Sequence, residues 1–117
     1  MINSNLIGKQ VLLTISDPWN ASQECGTGPF YGQITDTEEE KLLIRLATPI
    51  KCNDVSYLSA RCQIRHLSYS VGNLLTQPRL PIPINLILLR NDVQILSYLK
   101  TADYVGNLTA IGAVELA

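Results

Sequence analysis

Cys25, Cys52, Cys62 and His66 are the residues of this chain whose types could do nucleophilic or metal chemistry, and their spacing decides whether they can. Structural zinc takes four Cys or His ligands, normally with one close CxxC-type pair. The three cysteines have no such spacing and there is one histidine. A metal site from Cys52, Cys62 and His66 is therefore not expected, and His66 reads as a strand histidine hydrogen-bonded to a neighbour. A thiol nucleophile fares no better. Four residues of extended strand between Cys62 and His66 separate the side chains by roughly 13 Å, beyond hydrogen-bond reach. Cys25 lies between Glu24 and Gly26, with no adjacent cation to lower its pKa. The expectation is inert thiols, no catalytic residue and no cofactor.

Asp36, Glu38, Glu39 and Glu40 cluster carboxylates in a polar turn. A solvated turn does not raise an acid's pKa as a buried cleft does, so general acid catalysis is not implied. The plain reading is a solvated charge run, and the functional one is an acidic tip that meets a basic partner, since complementary charge steers association. Cys25-Gly26-Thr27-Gly28-Pro29 has the glycines of a phosphate loop, but no lysine follows and a strand comes next, so a phosphate cradle is not expected. Asp17-Pro18-Trp19 places the only tryptophan just past a strand end. There it could anchor a protein partner, as exposed aromatics do, or plug the end of the fold. Tyr57, Arg61, Arg65 and Tyr69 fall on one face if their strand alternates regularly, which would let that face stack on single-stranded RNA or DNA. The basic residues are otherwise scattered and the net charge is −1, so a nucleic-acid partner is disfavoured.

These residues must be positioned by short elements. Val11, Leu13 and Ile15 alternate onto one face, as do Phe30, Gly32 and Ile34, and then Leu42, Ile44 and Leu46 beyond the acidic turn. That period of two predicts strands, the last two joined as a hairpin. Val55 to Val71 alternates over a length that requires a bend or a break. Asn73-Leu74-Leu75 suits one helical turn before Pro78 and Pro81, which can continue neither a helix nor a central ladder. Ile82, Ile84, Leu86 and Leu88 form the clearest alternating set, and Leu108 to Leu116 alternates enough to pair with an edge and close the sheet. Val93 to Leu99 reads as a strand or as a short helix capped by Asp92.

The 117 residues, 46% hydrophobic and 16% charged, bound the answer to one domain, residues 1–117, able to bury roughly two thirds of its unfolded surface. The fold expected is all-β: a small antiparallel SH3-like barrel or sandwich of about six or seven strands, with at most one short helix. Met1 to Leu6 lacks the basic start and long apolar run of a secretory signal. Ile82 to Leu89 is far shorter than the roughly 20 residues needed to cross a bilayer. With unpaired cysteines, these features give a cytoplasmic expectation and no membrane partner.

Gly8-Lys9, Asp17-Pro18-Trp19, Gly28-Pro29-Phe30 with Gly32 and Ile34, Arg65-His66 and Ile111-Gly112, taken in order, resemble a scattered group of small bacterial β-barrel proteins that carry no assigned activity. The resemblance implies a bacterial cytosolic protein. Small, slightly acidic bacterial domains of this kind include immunity proteins, which bind and block a cognate toxin. The expectation is thus a non-enzymatic protein-binding module, in its narrower form an immunity protein whose partner is a basic toxin domain, meeting that partner through Asp17, Trp19, Asp36, Glu38, Glu39 and Glu40. The alternative is a small-barrel RNA- or ssDNA-binding protein using Tyr57, Arg61, Arg65 and Tyr69.

Overall fold

The computed structural model describes residues 4–17, 26, 28–52, 54–65, 69–77, 79–90 and 108–117. A 3-10 turn, Ser4–Leu6, precedes strands β1 (Gln10–Asp17), β2 (Phe30–Glu38), β3 (Lys41–Cys52) and β4 (Val55–Ile64). One helical turn, α1 (Asn73–Thr76), then leads to β5 (Ile82–Leu89) and β6 (Leu108–Leu116). The six strands form a closed antiparallel barrel in sequence order, because β6 pairs with both β5 and β1. This decides between barrel and sandwich. Closure also removes the sheet edges that would otherwise invite strand pairing with another chain. Among the described residues no helix is long and apolar enough to cross a membrane. Trp19, Cys25, His66 and the segment 93–99 lie outside the described residues.

The alternation read from sequence sets the interior. Val11, Leu13 and Ile15 of β1, Ile34 of β2, Ile44 of β3 and Leu86 of β5 all belong to one buried aliphatic cluster. Leu6, Val71 and Leu74, each fully buried in that cluster, cover the end of the barrel nearest the β2–β3 hairpin. They are held there by one backbone bond and one side-chain bond: Gly8 N–H donates to the Ile34 carbonyl at 2.7 Å, and Val71 N–H donates to the Glu40 carboxylate Oε2 at 3.2 Å.

Small residues let the strands close. Gly112 of β6 sits opposite Ile15 of β1 and Ile84 of β5, and a Cβ there would collide with the Thr14 carbonyl oxygen and come within 3.2 Å of the Ile15 Cα. Gly32 plays the same part between β2 and β3, where a Cβ would run into the Ile44 side chain.

The hairpin turn is tighter than the sequence implies. β2 runs through Asp36, Thr37 and Glu38, leaving Glu39 and Glu40 as the turn. Glu39 holds a φ of 51°, a left-handed conformation that is costly for any residue with a Cβ. Glu39→Gly is therefore expected to stabilise the barrel by about 0.5–1 kcal/mol, the relief of backbone strain exceeding glycine's extra unfolded-state entropy. Urea unfolding checks this, and a lower midpoint for the variant would count against the strain.

Candidate binding face

The proposed acidic surface is taken apart by the fold. Asp36 lies within β2 opposite Leu43, and its Oδ1 accepts the Thr37 N–H at 2.9 Å. Glu40 is committed at both ends: its carboxylate accepts from Val71 and its carbonyl accepts the Ile64 N–H at 3.0 Å. Glu38, Glu39 and Glu40 are all exposed. Asp17 ends β1 opposite Ile111 of β6, at the other end of the barrel from the hairpin turn, because β1 and β2 run antiparallel from the Gln10↔Gln33 pair. A contact surface joining Asp17 to Glu38–Glu40 would have to span the length of the barrel.

The four residues read as a stacking face do not share one. Tyr57 is 5% exposed and belongs to the core cluster. The cause is a register shift: β3 pairs through Arg45↔Ser59 and resumes at Ile50↔Tyr57, so four residues of β3, Leu46–Pro49, oppose the single residue Leu58. Tyr57 thus pairs with the buried Ile50 and joins Ala60 and Cys62 in the core cluster. Arg61 stays outward but is only partly exposed, between Leu43 and Ile87 in register. Arg65 is exposed beyond the end of β4. Tyr69 packs partly buried against the core.

The outer wall itself is divided. One cross-strand row passes from Gln10 through Gln33, Arg45 and Ser59 to Leu89. Its β4–β5 end is closed off, with Ser59 fully buried and Leu89 at 3% exposure, and the neighbouring outward residues Leu43 and Ile87 are buried too. Its β1–β3 end is open. There Gln10, Tyr31, Gln33, Arg45 and Ala47 line a shallow cleft of about 370 Å³. Tyr31 is 58% exposed, the most exposed of the large hydrophobic side chains on the described surface. Gln33 Nε2 donates to the Gly8 carbonyl at 3.1 Å, which fixes its amide on the cleft wall.

The cleft has a topological origin. β1 and β2 pair as far as Leu13↔Phe30, whereas the β2–β3 pairing reaches only Gly32↔Leu46. Beyond that point β3 enters its bulge, with Ala47, Thr48 and Pro49 exposed. The two strands therefore part beside Tyr31. The signal for this residue was present in the sequence, since Phe30, Gly32 and Ile34 inward require Tyr31 and Gln33 outward.

The described residues limit metal and thiol chemistry. No three His, Cys, Asp or Glu side chains are grouped as a metal ion would require among them. Cys62 is buried in the core, and burial pushes its thiol up to about 12 with Arg61 pulling it partly back. A protonated thiol is neither nucleophile nor metal ligand at neutral pH. Comparison with known proteins adds no relative: no family model matches the chain, and neither the curated proteins nor the solved structures give a significant match.

Proposed function

We propose that this barrel is a protein-binding module whose contact surface is the open outer wall of β1, β2 and β3, centred on Tyr31. The observation that supports it is the exposed tyrosine beside a cleft walled by two amides and a guanidinium. A tyrosine offers a large, rigid, amphipathic surface that loses little entropy on docking, and such residues are enriched at the energetic centre of interfaces. The barrel supplies a stiff platform beneath it. A net charge of −1 fits a protein partner better than a polyanion.

The narrower form is an immunity protein that occludes a toxin. Its support is the small size and slightly acidic balance of the chain, with Glu38 and Glu39 as the exposed acids that would steer a basic partner.

The test is retention of a native partner by tagged protein expressed at its own locus, compared with Tyr31→Ala. A stoichiometric partner held by the unaltered chain and weakened at least about tenfold by Tyr31→Ala is expected, the size of an ordinary aromatic hot spot. Thermal melting of the variant should be unchanged within about 2 °C, because an exposed side chain contributes little to stability. A partner retained equally by both forms would contradict the placement of the surface.

A further inference from the structure

We infer that the Tyr31 cleft receives an extended segment of the partner that carries a carboxylate side chain, an inference that rests on the binding-module reading. Three features converge. First, the occupant's shape is set by the parting of β2 from β3 after Gly32↔Leu46, which leaves a slot running along the strands beside Tyr31 and Ala47. A slot between strands suits an extended chain, as in recognition by strand addition.

Second, the charge of the lining is one-sided. Arg45 is the one charged side chain among the residues that line the cleft, and no acid is among them. Arg45 is already engaged in an interaction of its own, yet a guanidinium has five N–H donors in a planar fork, and its exposed position leaves it facing the cleft. Gln33 is its neighbour in the same cross-strand row, and Gln10 lies beyond Gln33. Gln33 uses Nε2 on Gly8, which orients the remaining N–H and the amide oxygen. A lining that holds a guanidinium, two amides and no acid matches a carboxylate better than a cationic group.

Third, the cleft is unsuited to a nucleic-acid strand. Tracking a phosphate backbone requires several cations in line, and the lining holds a single one. A single carboxylate beside a ring fits one arginine and one tyrosine.

The experiment uses the full chain and three pools of short synthetic peptides, randomised at every position but one, with that position fixed as Glu, Gln or Lys. Amide NMR signals of Tyr31, Gly32, Gln33 and Ala47 are followed. The Glu pool is expected to shift these signals at about tenfold lower concentration than the Gln or Lys pools, the scale of one charge-assisted hydrogen bond. Arg45→Glu should reverse the order, with the Lys pool becoming the tightest. Arg45→Gln, a milder change, should level the three pools and serves if the reversal variant does not fold. Equal binding by the three pools, an order that survives both substitutions, or cleft signals moved by random single-stranded RNA and by no peptide would overturn the inference. If Tyr31→Ala still releases the native partner while the pools show no charge preference, the carboxylate fails and the binding surface stands.

Discussion

Gly112→Ala is expected to cost at least about 3 kcal/mol, a large part of the 5–15 kcal/mol that holds a domain of this size together. The added methyl group meets backbone rather than a movable side chain: the Thr14 carbonyl and the adjoining Ile15 Cα, both of β1. Neither can yield unless β1 moves away from β6. That movement opens the seam that closes the barrel, where the pairing runs from Val11↔Leu116 to Asp17↔Ile111. Ala113→Ser, one residue along and half exposed, should stay within about 0.5 kcal/mol, as surface substitutions commonly do. Urea unfolding of the two variants measures the difference. An unchanged midpoint for Gly112→Ala would show that the strands are not in close contact at the seam.

The second large effect is a loss of stability in alkali caused by Cys62. Its thiol pKa in the folded barrel is raised by burial to about 12 from an ordinary value of 9.0. The sign follows from proton binding. Below the unfolded pKa both states hold the proton, and the contribution of the buried neutral thiol is fully present. Above it the unfolded chain loses the proton while the native state keeps it, so stability falls by about 1.4 kcal/mol per pH unit until the folded pKa is reached. Other groups titrate in the same range, so the readout is a difference between proteins. Cys62→Ala, which cannot ionise, should be less stable than the unaltered chain near neutrality because it leaves a small cavity. Between about pH 8 and about pH 10.5 that gap should shrink by about 2 kcal/mol. A constant gap would mean that the thiol titrates normally and that water reaches it.

Strand parity was legible because it is local. Val11, Leu13 and Ile15, or Ile82, Ile84 and Leu86, carry a period of two that no distant contact needs to correct, and all six lie in the core. The all-β class, the pairing of Leu108–Leu116 with an edge and the helical turn at Asn73 followed from such patterns together with the positions of glycine and proline, whereas the choice of barrel over sandwich rests on the pairing of β6 with β1. Tyr57 was misplaced because its orientation is fixed by the bulge in the partner strand at Leu46–Pro49. A residue count across two strands is not visible along one. Glu40 is exposed, as a polar turn implies, but its bond to the Val71 amide, 31 residues away, is not visible in the local sequence.

The binding face was half legible for a related reason. Parity turns Tyr31, Leu43 and Ile87 outward alike. Tyr31 is 58% exposed, whereas Leu43 is fully buried and Ile87 is at 8%. Outward therefore does not mean exposed, and only the tertiary arrangement separates a binding surface from a buried outer layer. The acidic turn drew attention as a run of like charges, yet the fold spends one of its carboxylates on closing the barrel end.

The most direct measurement is an amide NMR map of the isotope-labelled barrel titrated with the partner recovered from its native setting. The largest shifts are expected on Tyr31, Gly32, Gln33, Arg45 and Ala47, the walls of the cleft, with Glu38 and Glu39 moving less. Shifts concentrated at the hairpin turn or around β4, with the cleft signals unmoved, would contradict it.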